Sequence, residues 1–184
     1  MKFIAQDIEG VWIIEPRRFG DSRGYFMETF KLAEFREYIG DITFVQDNES
    51  FSTRGVLRGL HLQQGEYAQA KLVRVSRGVV LDVAVDLRDG SPTFGRHVAV
   101  ELSADNGRQL FIPRGFAHGF VVLSDEAQFQ YKVDNVYAPQ SEMTLRYDDP
   151  TVAVDWRLGA SELHLSEKDL KGCPLADIPR YKEK

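Results

Sequence analysis

The chain has 184 residues and a formal charge of −5, with 43% apolar and 28% charged residues. That composition suits one globular domain over residues 1–184. It excludes a largely disordered chain, a collagen-like fibre and a disulfide scaffold. No block of like charges exists, which argues against nucleic acid as a partner, so an anion held by this acidic chain needs a local basic pocket. No apolar run reaches the roughly 20 residues of a membrane span. Asp7 falls where a secretory signal would be apolar, and Cys173 has no cysteine to pair with; both fit a cytoplasmic protein with no membrane partner.

In chain order, the first helical spacing is Leu32, Phe35 and Ile39, with Thr29 as a candidate N-cap and Gly40 as a stop. Beyond it the period changes to two. Val79, Leu81, Val83, Val85 and Leu87 fall on one face of an extended segment, and Asp82, Ala84 and Asp86 on the other. Asp89-Gly90-Ser91-Pro92 breaks that run as a turn. His97 to Leu102 alternates again, with Val98, Val100 and Leu102 together, and Asp105-Asn106-Gly107 forms the next turn. Leu110–Ile112 and Val121–Leu123 read as short strands, and Phe129, Tyr131 and Val133 share a face of another. Ser166-Glu167-Lys168-Asp169 reads as a capping box opening a short helix that ends at Gly172. Turn signals every 8–12 residues or so predict a mostly β sandwich or barrel with an N-terminal strand or arm and short terminal helices. Trp12 and Trp156 read as core.

Two glycine-bounded stretches carry the chemistry. Gly107 to His118 has the spacing G-x5-P-x-G-x2-H, and Gly55 to Gln63 has G-x5-H-x-Q. The pair resembles the two signatures of the cupin family, whose fold is a double-sheet jelly roll with its site inside the barrel. Two positions depart from that pattern. Gln63 stands where a second metal-binding histidine belongs, and Val122 stands at the place of an asparagine. A metal needs three or four converging ligands, and only His61 and His118 remain as imidazoles. The expectation is therefore no metal, which leaves the imidazoles for proton transfer. Arg58 and His61 have opposite parity in a regular strand, and a bulge at Gly59 would turn both inward.

The order of further blocks extends the likeness over nearly the whole chain. Asp21-Ser22-Arg23-Gly24-Tyr25-Phe26-Met27-Glu28, Gln46-Asp47-Asn48, Arg58-Gly59-Leu60-His61, Lys71-Leu72-Val73-Arg74, Pro113-Arg114-Gly115-Phe116-Ala117-His118, Tyr131 and Leu165-Ser166-Glu167-Lys168-Asp169 follow one another as they do in the dTDP-4-dehydrorhamnose 3,5-epimerase family. The resemblance implies a cofactor-free homodimer of jelly rolls acting on a dTDP-4-keto-6-deoxy sugar nucleotide. It further implies His61 as base, Tyr131 as acid, Asp169 as the group orienting His61, and Lys71 as the cation beside the C4 oxygen. His118, held by Asp82, would line the same pocket. Arg23 and Arg58 are implied for phosphate. Gln46, Asp47, Asn48, Glu28, Tyr137, Glu142 and Lys168 match further binding positions, with Arg23 and Glu28 reaching across from the partner subunit.

Plainer readings stand beside these. Arg23 suits a solvated turn, Asp169 suits a helix cap alone, and Lys71 suits a solvated strand end. Tyr131 and Tyr137 suit core or rim aromatics. Alternative functions are a single-centre epimerase acting at C3 or C5 only, a metal-dependent cupin, and a non-catalytic sugar-nucleotide binding module. Cys173 has no basic neighbour in sequence and receives no role.

Overall fold

A computed structural model describes residues 1–182 of the chain. The strands are β1 (Lys2–Ala5), β2 (Trp12–Glu15), β3 (Arg18–Asp21), β4 (Gly24–Met27), β5 (Gln46–Thr53), β6 (Leu57–Gln63), β7 (Lys71–Arg77), β8 (Val79–Asp86), β9 (His97–Ser103), β10 (Gln109–Ile112), β11 (Phe116–Val122), β12 (Glu126–Val133) and β13 (Glu142–Thr144). The α-helices among the described residues are α1 (Leu32–Tyr38) and α2 (Glu167–Leu170), and three single 3-10 turns lie in the loops. A six-stranded sheet runs β1-β2-β10-β7-β12-β5, and a five-stranded sheet runs β13-β6-β11-β8-β9. β3 and β4 form a separate two-stranded hairpin. Every pairing between these strands is antiparallel. This is the two-layer jelly roll that the sequence predicted, with the hairpin as the arm.

The central core lies between the sheets. Val73, Val75, Leu110, Ile112, Ala127 and Phe129 face Val80, Ala84, Val98, Val100, Leu102, Phe116, Phe120 and Val122. The outer face of the five-stranded sheet is also covered. Leu81, Val83 and Val85 meet Leu145, Val152, Trp156, Leu175 and Ile178. That covering explains why β8 is apolar nearly throughout: both of its faces leave water. β9 lies at the sheet edge, and its Ala99 and Glu101 remain exposed between buried Val98, Val100 and Leu102. On the six-stranded sheet, Phe35 of α1 packs against Ile14, Leu72 and Phe111. Trp12 is only partly buried at the margin of that cluster, so it is less of a core residue than expected.

Two boundaries differ from the sequence reading. The N-cap of α1 is Lys31 and not Thr29. The Thr29 carbonyl accepts from Gln109 Nε2 at 2.7 Å, and Phe30 packs on Phe35 and Phe44, which holds this segment extended for one more step. β11 begins at Phe116, so the strand expected from Val121 extends back through His118. The stop at Gly40 is as expected: its φ is +111°, and its N–H and that of Ile39 both donate to the Phe35 carbonyl. Among the described residues, no helix is long and apolar enough to cross a membrane.

Candidate active site

The bulge expected in β6 is present. His61 pairs with His118 and Arg58 with Phe120, so three steps on β6 match two on β11. Gly59 makes this possible. A Cβ there would lie 2.5 Å from the Gly119 Cα, and its φ is +135°. With the extra residue absorbed, Arg58 and His61 face the same cavity.

That cavity has a volume of about 340 Å³ and lies between the sheets. His61 on β6 and His118 on β11 come from the five-stranded sheet; Lys71 on β7 and Tyr131 on β12 come from the six-stranded one. The base and acid candidates therefore line one chamber from opposite walls. Arg58, Asp169, Lys168, Ser166, Glu49 and Ser50 add to its polar lining, and the stacked rings of Phe120 and Phe129, 4.1 Å apart, give it an apolar surface.

Asp169 joins two tasks. Its Oδ1 meets His61 Nε2 at 2.6 Å, and its Oδ2 accepts from the Ser166 hydroxyl at 2.7 Å. The Ser166 Oγ in turn accepts from the Asp169 N–H, which closes the capping box of α2. Burial pushes the Asp169 carboxyl up, but the bonds from His61 and Ser166 outweigh it and hold it below the usual carboxylate range. An ionised Asp169 accepts only, so Nε2 of His61 carries a proton and the lone pair of the neutral ring sits on Nδ1.

His118 Nε2 lies 2.9 Å from Asp82 Oδ1, as the sequence reading expected. Burial pushes the His118 imidazole below its ordinary pKa against the attraction of Asp82. Lys71 is lowered to about 8, chiefly by burial, with Asp82 and Glu142 working the other way. Burial also raises the Tyr131 phenol, keeping it protonated. Among the described residues, neither the Lys71 ammonium nor the Tyr131 hydroxyl has a hydrogen-bond partner, so both are available to a substrate.

At the rim, Tyr137 donates to Glu142 Oε2 at 2.8 Å, and Lys168 pairs with Glu142 Oε1 at 2.5 Å. A second cavity of about 410 Å³ shares Tyr131 and Glu49 with the first and is lined by Asp47 and Asn48. Gln46 stays out of both linings and bonds Asn48 at 2.7 Å. Arg58 Nε donates to Ser52 at 3.1 Å. Arg23 and Glu28 are not brought to the cavity within this chain. Arg23 lies at the hairpin tip, 88% exposed and paired with Asp21 at 2.6 Å, and Glu28 is exposed just beyond β4.

Gln63 has a structural explanation. Its Nε2 donates to the Tyr67 and Val136 carbonyls, and its Oε1 accepts from the Ala138 N–H. The amide is spent on the segment that carries Tyr137 and is not free to join His61 and His118 as a ligand. Among the described residues, no group of three or more His, Cys, Asp or Glu side chains is placed to hold a metal ion. Sequence reasoning missed Glu49, Ser50, Phe120 and Phe129 as lining residues. β5 is polar on both faces, so its register carried no signal. The Cys173 thiol is raised by burial, packs against the outer apolar cluster and lies 3.5 Å from the Thr144 carbonyl.

Comparison with known proteins shows what the whole chain is similar to. The family model described as dTDP-4-dehydrorhamnose 3,5-epimerase matches residues 5–177. The dTDP-4-dehydrorhamnose 3,5-epimerase of Escherichia coli is 52% identical over 183 residues, covering 99% of this chain and 98% of that protein. The protein of that name from Pseudomonas aeruginosa is 53% identical over 178 residues, covering 96% and 97%. Among solved structures, the dTDP-6-deoxy-D-glucose-3,5-epimerase of Legionella pneumophila, in complex with dTDP-4-keto-L-rhamnose, superposes with a TM-score of 0.93 at 49% identity, covering 99% of both chains.

Proposed function

This chain belongs to the dTDP-4-dehydrorhamnose 3,5-epimerase family, and from that membership we propose how its residues carry out the reaction. The enzyme is an isomerase that inverts C3 and C5 of dTDP-4-dehydro-6-deoxy-D-glucose to give dTDP-4-dehydro-L-rhamnose, the precursor step of rhamnose biosynthesis. The observation that carries the assignment of roles is the placement of His61 and Tyr131 on opposite walls of one cavity.

The C4 ketone acidifies the hydrogens on C3 and C5. His61 takes one of them on Nδ1, while Asp169 stabilises the imidazolium through Nε2–H. The electron pair moves onto the C4 oxygen, where the Lys71 ammonium meets the enolate charge. Tyr131 then delivers its phenolic proton to the opposite face of the carbon, which inverts it. His61 and Tyr131 return to their starting states by exchange with water, and the sugar ring turns to present the second carbon. His118, held neutral by burial and oriented by Asp82, lines the sugar site. Arg58 and Lys168 supply local positive charge for the diphosphate, Asp47 and Asn48 border the path of the nucleotide through the second cavity, and Gln46 holds Asn48 in place. Tyr137 and Glu142 hold the rim.

The protein works as a cytoplasmic homodimer in which Arg23 and Glu28 complete the partner's site. Support comes from the hairpin itself. It exposes Phe19, Tyr25 and Phe26 at 49%, 58% and 66%, beside an Arg23 that lines a shallow hollow of the hairpin and neither of the two cavities around Tyr131. Complementation tests this arrangement. Arg23→Ala and His61→Ala proteins, each impaired alone, regain activity when mixed and reassociated, because one site of the mixed dimer is intact. If mixing restores nothing, Arg23 does not act across an interface.

The chemical assignment is tested by incubation with the 4-keto-6-deoxy sugar nucleotide in heavy water, read by NMR. Deuterium enters C3 and C5 with the wild-type protein. His61→Ala abolishes uptake, and Tyr131→Phe loses epimerised product more than it loses exchange. Normal uptake by His61→Ala would refute its role as base, and uptake at one carbon only would mark a single-centre epimerase.

A further inference from the structure

We propose that Ser166 is a positioning residue for the epimerisation: its hydroxyl aims the Asp169 carboxylate at His61. The inference rests on the reading of His61 as the base. Ser166 lines the catalytic cavity and stands at the N-cap of α2, a helix of four residues, too short to be stable by itself. Something other than helix rigidity must therefore fix Asp169.

The hydrogen bonds show what does. Asp169 Oδ2 accepts from the Ser166 hydroxyl at 2.7 Å and from the Ser166 N–H at 3.4 Å. Oδ1 accepts from His61 at 2.6 Å and from the Gly59 N–H at 3.4 Å. The carboxylate has one short bond on each oxygen, and the two contacts to backbone N–H groups are long. Remove the hydroxyl and Oδ2 keeps only a long partner. The carboxyl plane is then free to rotate about its last bond, and Oδ1 leaves the line that holds His61 in its Nε2–H form. Ser166 thereby ties the local folding signal of α2 to the protonation pattern of the base, in a relay from Ser166 through Asp169 to His61. The side chain of Asp169 is 5% exposed, whereas Ser166 is exposed, so a water that takes the place of the hydroxyl has no covalent anchor from which to aim the carboxylate.

Substitutions at the N-cap separate this role from capping. Gly and Asp both serve as N-caps, but neither offers a neutral hydroxyl donor to Oδ2, whereas Thr offers both functions. The full-length protein is assayed for C3 and C5 deuterium uptake at varied substrate. Ser166→Gly lowers kcat about ten-fold, as loss of a bond to a charged group does, with KM within about two-fold of wild type. Ser166→Asp lowers kcat at least as far, and Ser166→Thr restores it to within about three-fold. If Ser166→Gly and Ser166→Asp both keep wild-type kcat, or if the loss falls on KM alone, Ser166 is only a helix cap and the inference is wrong. Should Ser166→Gly not fold, Ser166→Asp against Ser166→Thr gives the same contrast. His61→Ala runs alongside: full uptake by that variant overturns the assignment of the base, whereas a dead His61→Ala beside a fully active Ser166→Gly overturns the Ser166 role alone.

Discussion

Asp169→Asn tests the oriented base most directly, because the substitution keeps volume and removes charge. The amide has one acceptor oxygen and one donor nitrogen, and the carboxylate it replaces accepts on both sides. On the Oδ2 side stand the hydroxyl at 2.7 Å and the N–H at 3.4 Å of Ser166; on the Oδ1 side stand His61 at 2.6 Å and the Gly59 N–H at 3.4 Å. The reciprocal cap keeps the amide oxygen at the Oδ2 position, so the amide nitrogen faces His61. Two donors cannot meet there. His61 Nε2 gives up its proton to accept from the amide, and the proton moves to Nδ1, the atom that must take the substrate hydrogen. A histidine locked in the wrong tautomer by an Asp-to-Asn change costs a factor of about 10⁴, close to 5.5 kcal/mol at 1.36 kcal/mol per decade. The opposite amide orientation keeps the tautomer and loses only the charge-assisted bond, about 10²-fold. The expected fall in kcat for C3 and C5 exchange therefore lies between about 10² and 10⁴, with KM unchanged, since Asp169 meets no phosphate. The assay is NMR of deuterium uptake at saturating substrate, with thermal unfolding as a control for the fold. Activity within three-fold of wild type would refute the reasoning.

Lys71 supplies a pH dependence. With its pKa lowered to about 8, chiefly by burial, it loses its charge as pH rises. The kcat/KM profile, which reports the free enzyme, falls with a midpoint near 8, well below the titration of Tyr131, which burial raises. Lys71→Met lowers kcat about 10²-fold or more and removes that limb; a limb that persists belongs to another group. Asp86 supplies a stability dependence. Burial works to raise its pKa, but bonds from Arg88, Ser91 and Thr93 bring it down to about 2, against roughly 3.9 in an unfolded chain. A depressed carboxyl stabilises the fold above its unfolded pKa and stops doing so as pH falls through the folded one. Asp86→Asn therefore costs about 2 kcal/mol at pH 7, and the difference shrinks between about pH 4 and pH 2. Urea unfolding at both ends of that range checks it, and an unchanged difference would contradict it. Gln63→Ala leaves the Tyr67 and Val136 carbonyls and the Ala138 N–H without their partner and costs about 2 kcal/mol. It raises KM by loosening Tyr137 and leaves kcat in place; a fall in kcat at unchanged KM would show that Gln63 acts on the reacting centre.

The parts of the fold that the sequence made legible are those where one face is wet and the other dry. β9 shows this, since its exposed Ala99 and Glu101 alternate with buried Val98, Val100 and Leu102. The hairpin of β3 and β4, strand β5 and strand β13 carried no such contrast. β5 is polar on both sides because its inner face borders the cavities instead of the core. Helix α1 was placed by its apolar spacing, but its start was misjudged at Thr29. A contact from the distant Gln109 decides that boundary, and no local signal records it.

The site was legible to a different degree at each layer. His61, Lys71, Tyr131 and Asp169 are polar residues whose convergence was implied by the family resemblance alone, whereas the bulge at Gly59 was readable from parity because two inward residues cannot sit three apart in a regular strand. The capping box was readable too, but its Ser-x-x-Asp spacing fits a plain helix start as well as it fits a catalytic carboxylate. Only the folded chain divides the two carboxylate oxygens, one to His61 and one to Ser166. Gln63 makes the converse case. In the sequence it is a gap in a metal signature; in the structure it fastens the segment bearing Tyr137. A substitution of histidine at that position would therefore remove a clamp before it could add a ligand. The departure at Gln63 thus serves one design, in which the rim is fixed by an amide and the imidazoles are left to carry protons.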